Sequence, residues 1–124
     1  MRQSLLTSLL TSLALTLIIE LAAAWVMRIR SVLDLTFVAL ANCITNPIVN
    51  VCFYFALSVF SARSPLPYVM LAGLEIAAVF AEFLYYKITL RYLEISKLKL
   101  SVVLNTASFM TGWLIYFLNV YFGN

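Results

Sequence analysis

Residues 35–60 read LTFVALANCITNPIVNVCFYFALSVF, 26 consecutive positions without a charge. About 20 mainly apolar residues suffice for a helix to cross a bilayer, so the run is long enough to span one. Its middle, Asn42 to Asn50, is unusual for such a helix. NCITNPIVN sets three asparagines four apart and puts a proline among them. Side chains at i and i+4 share a helix face, so Asn42, Asn46 and Asn50 form a polar stripe. Pro47 has no N–H to give, and its ring crowds the carbonyl four residues back, that of Cys43. The stretch therefore predicts a kinked membrane helix with amide groups and a freed backbone oxygen on one turn. Irregular backbone at that depth is tolerated where it is packed in protein or faces a water-filled cavity.

The rest of the chain agrees with a membrane setting. Of 124 residues, 65% are hydrophobic and 10% charged, with a mean hydropathy of +1.04. Soluble domains carry roughly 25% charged residues. Spans are expected at about 5–27, 34–60, 67–86 and 98–122. They are separated by Arg28-Ile29-Arg30-Ser31, by residues 61–67 with Pro65 and Pro67, and by the charged stretch Lys87 to Lys99. Ser31-Val32-Leu33-Asp34 fits a capping box opening the second helix. The expected fold is all-α: one domain over 1–124, a polytopic four-helix antiparallel transmembrane bundle with a proline-kinked second helix. The tripeptide Ala22-Ala23-Ala24 resembles a signal cleavage site. The apolar region before it is long and Glu20 stands just upstream, so this segment is expected to be retained.

Lysines and arginines in short loops mark the cytoplasmic side. Arg28, Arg30, Lys87, Arg91, Lys97 and Lys99 fall in the first and third connections, against Arg2 and Arg63 elsewhere. Loops 28–33 and 87–97 are thus expected in the cytoplasm and both termini outside. Trp25, Tyr85, Tyr86 and Tyr92 would mark the inner interface, and Tyr68 and Tyr121 the outer one. The segment from Arg91 to Lys99 would lie along the inner surface near anionic lipid heads, or form a plain solvated loop whose charges set the topology. In size and layout the chain resembles the small four-span proteins of bacterial inner membranes, which implies that location.

Several function classes are excluded or disfavoured. Net charge +3 is too small to argue for nucleic acid. There is no histidine, and Cys43 and Cys52 would lie about 13 Å apart on one helix, too far for a disulfide. No phosphate-cradling glycine loop, nucleophile–histidine pair or zinc spacing occurs, so no cofactor and no enzymatic activity are expected.

What remains is a set of polar groups inside the spans. Ser4, Ser8, Ser12, Thr16 and Glu20 recur every four residues along the first. The hydroxyls suit close helix approach, but a carboxyl has no packing advantage over leucine. Glu75 and Glu82 lie two turns apart on the third span. An acid at a helix centre costs roughly 2.5–3.5 kcal/mol on insertion scales. No lysine or arginine lies within a span to neutralise these acids. They must be protonated, bind a cation, reach water or meet a basic group on another chain. In the fourth span Ser101, Asn105, Ser108, Gly112 and Asn119 share a broad face. That face is expected to pack, with Ser108 and Gly112 as a small-xxx-small pair and Asn105 as a polar exception. Phe109 and Trp113 read as lipid- or core-facing bulk.

Polar groups of all four helices thus fall in one layer between the midplane and the inner side. The leading expectation is a small membrane protein that binds or translocates a cation or proton through a polar pocket. Glu20, Glu75 and Glu82 would carry charge or protons. Asn42, Asn46, Asn50, Asn105 and the Cys43 carbonyl would supply neutral ligands; a metal is left open. Besides the lipid bilayer, a homo-oligomer is expected, most simply a two-fold dimer. The alternative is an accessory or assembly subunit of a membrane complex, its acids pairing with a partner's basic residues. A third reading is a lipid head-group enzyme or flippase.

Overall fold

The computed structural model describes residues 5–61, 63–91 and 93–122, with the side chains at 116, 117, 119, 120 and 122 left aside. Arg2, Ser4, Tyr92 and the Asn119 side chain lie outside what is described. Among the described residues the regular elements are four helices, with no strand: α1 (Leu5–Val26), α2 (Val32–Val59), α3 (Leu66–Thr89) and α4 (Lys97–Phe122). All four are long and apolar enough to cross a membrane. Their outward faces are leucine, isoleucine, valine and phenylalanine, among them Leu6, Ile18, Val26, Phe55 and Ile76. Such a surface is stable only against lipid.

Local chemistry explains the ends. At the start of α2, Ser31 accepts from the Asp34 amide through its side chain and from the Leu35 amide through its carbonyl. This is the predicted cap: the Ser31 side chain satisfies one orphan donor of the helix start, and the Leu35 bond is the first intrahelical one. Helix α1 ends in a Schellman turn: Ile29 N donates to Ala24 O and Arg28 N to Trp25 O. Arg28 adopts φ 68° there, a conformation that favours glycine. The turn tucks Ile29 into the core with no exposure. Pro65 caps α3 and Pro67 stands in its first turn, where a missing N–H costs nothing.

Two details differ from expectation. Helix α3 continues through Lys87 and Ile88 to Thr89, and α4 begins at Lys97. Lys97 and Lys99 therefore sit in the first turn of α4 rather than on a surface stretch, and the connection between them shortens to 90–96. Tyr86 is fully buried instead of marking an interface, because α3 turns that face toward the other three helices. Helix α2 runs as one element through Pro47.

Each helix packs on its neighbours in a closed ring, α1 on α2, α2 on α3, α3 on α4, and α4 back on α1. Ala24, Ile29, Val38, Ala41, Tyr86, Leu90, Leu100 and Leu104 form one dense cluster. It brings the α1–α2 and α3–α4 connections, with their basic residues, to the same end of the bundle. Arg30 stacks over Trp25 there at 3.9 Å, and Lys97 donates to the Leu93 and Ile95 carbonyls. Toward the opposite end the interior opens into a cavity.

Candidate functional site: a cavity above two buried glutamates

The polar stripe of α1 meets that of α2 rung by rung. Ser8 shares a hydrogen bond with Tyr54, Asn50 donates to Ser12 at 3.2 Å, Asn46 donates to Thr16 at 2.9 Å, and Asn42 donates to Glu20 at 2.5 Å. Every step of four along α1 is matched by a step of four back along α2. Asn50 is further tied to Asn46 through that residue's carbonyl and side-chain oxygens. Apolar side chains gain little from one another in lipid, so such rungs, worth roughly 0.6–2 kcal/mol each, decide which faces of two membrane helices meet.

The last rung leads to the floor. Glu20 and Glu82 are each 1% exposed, and each is held by one amide and one hydroxyl. Asn42 Nδ2 donates to Glu20 Oε2, and Ser108 Oγ to Glu20 Oε1 at 2.9 Å. Asn105 Nδ2 donates to Glu82 Oε2 at 2.5 Å, and Thr45 Oγ1 to Glu82 Oε1 at 2.7 Å. Both amides are steadied by a second bond to the carbonyl four residues back, Val38 for Asn42 and Ser101 for Asn105. Both hydroxyls have a second acceptor within reach. Thr45 Oγ1 is 3.1 Å from the Ala41 carbonyl and Ser108 Oγ is 3.1 Å from that of Asn105. A hydroxyl has one hydrogen, so each can serve the carboxyl or its own backbone. Ser101 ties α4 to α3 beneath them, donating to the Val79 carbonyl at 2.7 Å. The Tyr86 hydroxyl lies beside Glu82, fully buried, and completes no hydrogen bond of ordinary length.

These partners repeat between the two halves of the chain. Glu82 stands 62 residues after Glu20, Asn105 63 after Asn42 and Ser108 63 after Thr45. The amide of each pair comes from the glutamate's own half and the hydroxyl from the other. The core cluster follows the same spacing, with Ala24 matched by Tyr86 on α1 and α3 and Ala41 by Leu104 on α2 and α4. Asn42-x-x-Thr45 and Asn105-x-x-Ser108 are therefore one motif used twice.

Above this floor lies a cavity of about 430 Å³. It follows α2 from Asn42 to Leu57, roughly 22 Å of helix rise. One wall is the amide and hydroxyl ladder, with Ser12, Thr16, Asn46 and Asn50. The others carry Phe53, Tyr68, Phe109 and Trp113. Glu75 lines it two turns from Glu82, half-buried, with no hydrogen-bond partner among the described residues. Among the described residues no lysine or arginine lines it. The dense cluster around Tyr86 lies at its other end, below the glutamates.

The structure thus gathers Glu20, Glu82, Asn42 and Asn105 at one level and places Asn46, Asn50 and Glu75 on the walls above. Cys43 is exposed and Pro47 half-buried, and neither lines the cavity. Among the described residues no three of the acids and cysteines come close enough to hold a metal ion. Thr45 and Ser108 were missed as carboxyl partners; the recurrence of Asn-x-x-Ser/Thr at the spacing of the two glutamates was the available signal. Gly112 was expected to pack closely, yet a Cβ built there meets nothing within 4 Å, since it faces the cavity. Phe109 and Trp113 line the same space rather than serving only as bulk. No family model, curated protein or solved structure matches the chain.

Proposed function

We propose that this small integral membrane protein binds and passes a proton or other cation through the cavity, with Glu20 and Glu82 as the exchanging groups. The observation that supports this is the paired hydroxyl. When a carboxylate is ionised, Thr45 or Ser108 donates to it. When the carboxyl is protonated, the hydroxyl turns its hydrogen to the Ala41 or Asn105 carbonyl, and its oxygen accepts from the acid. Both protonation states keep full hydrogen bonding at the cost of one torsion, so a proton can arrive or leave without stranding a buried group. A purely structural glutamate needs no such freedom.

Further parts of the reading follow. The helices run antiparallel, with the basic end in the cytoplasm of a bacterial inner membrane by the positive-inside rule. The termini and the cavity mouth then face outward, and Pro47 bends α2 around the chamber. Trp113 and Phe109 line the cavity yet are 51% and 38% exposed. A second copy covering that flank would seal it, which favours a homodimer. The protein acts as a carrier or channel rather than an enzyme.

The test is proton flux into liposomes, read with an entrapped pH dye under a pH gradient. Glu20→Gln and Glu82→Gln are expected to lower the flux about tenfold or more, as typical for loss of a proton-transfer group. Thr45→Val and Ser108→Ala should lower it while the carboxyls remain. Flux that persists unchanged in both glutamine variants overturns the proposal.

The accessory-subunit reading rests on Glu75. Of the three intramembrane acids it alone has no hydrogen bond from its own chain among the described residues, and so it alone is available to a partner's lysine or arginine. That reading predicts a co-purifying membrane protein that is lost with Glu75→Gln, and no flux from the isolated chain.

A further inference from the structure

Resting on the cation reading of the cavity, we infer that its open half receives an organic monocation, an ammonium head bearing an aryl or branched alkyl body, seated between Glu75 and the aromatic mouth. Each alternative occupant conflicts with a feature of the chamber. An anion would find no basic side chain among the described lining residues. A bare divalent ion needs six or more oxygens, of the order met in protein calcium sites. Here the Glu20 and Glu82 oxygens already accept from four donors, and no group of three acids forms among the described residues. A lone proton has no use for about 430 Å³, which falls within the range that takes a drug-sized ligand. An uncharged ligand would bury Glu75 with no counter-charge.

The walls supply what an organic cation needs. Two aromatic pairs reach the cavity from different helices. Phe53 of α2 and Tyr68 of α3 have ring centroids 6.0 Å apart, and Phe109 and Trp113 of α4 are 6.3 Å apart. Ring faces attract ammonium groups, and tryptophan does so best. Glu75 stands about 10 Å along α3 from Glu82, far enough that a cation paired with it leaves the floor glutamates free to exchange protons. The apolar remainder of the mouth, Leu57 and Leu71, covers a hydrocarbon body.

The probe is radiolabelled benzyltrimethylammonium, measured by equilibrium dialysis against the chain in phosphatidylglycerol nanodiscs, with empty discs as blank. Saturable binding is expected, with neopentylbenzene, the uncharged isostere, at least about tenfold weaker because it lacks the charge that pairs and stacks. Glu75→Gln should weaken the probe at least about tenfold, Glu75→Asp should restore most of it, and Trp113→Leu should weaken it more than Trp113→Phe. Ammonium heads occur on free amines and on lipids. Loss of apparent affinity in phosphatidylcholine discs assigns the site to a headgroup, and unchanged affinity assigns it to a free solute; either supports the class. Equal binding of the isostere, or wild-type binding by Glu75→Gln in a protein that still shows flux, overturns the inference. A chain that binds no probe yet loses proton flux in Glu82→Gln refutes the inference and keeps the proton reading. A chain that binds the probe but keeps flux in both floor variants does the reverse.

Discussion

The two halves of the chain, α1 with α2 and α3 with α4, agree at the cavity floor and diverge along its walls. At the floor each contributes a glutamate, an amide and a hydroxyl at matching positions, and each lends its hydroxyl to the other's glutamate. One turn higher the match ends. Asn46 and Asn50 of α2 correspond to Phe109 and Trp113 of α4, and Thr16 of α1 corresponds to Ala78 of α3. The N-terminal half thus presents a hydrogen-bonded ladder, while the C-terminal half presents rings and Glu75, which has no hydrogen bond among the described residues. The floor is built twice because two buried carboxyls pose the same desolvation problem and one donor set solves it. The walls face open space, where side chains are free to specialise.

That comparison can be broken most forcefully beneath the floor. Tyr86→Ala empties a fully buried site and should cost about 3–5 kcal/mol of stability in a mixed-micelle SDS titration. At its counterpart, Ala24→Leu should cost about 1–3 kcal/mol by overpacking. If Ala24→Leu is neutral, the cluster is looser than its burial indicates. Tyr86→Phe separates ring from hydroxyl. Because that hydroxyl is buried without a proper partner, removing it should raise stability by up to about 1 kcal/mol.

The equivalence of the floor positions is sharpened by a pair of variants. Asn42→Leu and Asn105→Leu each strip one amide from a buried carboxyl and should each cost about 1–3 kcal/mol in the same titration. Costs differing by more than about 1 kcal/mol would show that the two sites are not energetic equals. On the ladder wall, Asn50→Leu removes rungs that are only half-buried and should cost about 0.6 kcal/mol. The smallest effect belongs to the opposite wall. Gly112→Ala adds a methyl into open space and should stabilise α4 by about 0.5–1 kcal/mol through helix propensity, and a loss of stability would mean the wall is already filled.

Membrane class, four spans, the Ser31 cap and the polar layer were legible in the residues. Length and apolar content decide whether a helix partitions into lipid, and both are properties of a segment by itself. The predicted span ends at Met27, Phe60 and Phe122 match the helix ends within a residue. The end of α3 was misplaced because Lys87 looked like a boundary, whereas a long basic side chain can reach outward from a helix still near the membrane edge. The three intramembrane glutamates stand out in the sequence; Glu20 and Glu75 line one cavity, and Glu82 lies buried behind Thr45 and Asn105, which line it.

By itself, then, the sequence determined that four helices enter a bilayer and that acids and amides must be hidden from it. Only the tertiary structure decided which amide meets which acid, that Glu75 has no hydrogen bond among the described residues while Glu20 and Glu82 do, and that Cys43 faces away. The physical reason is reach. Partition into lipid sums over neighbours within one segment, but a hydrogen bond between Glu20 and Ser108 joins residues 88 positions apart, and no local pattern encodes the rotation of α1 against α4 that closes it.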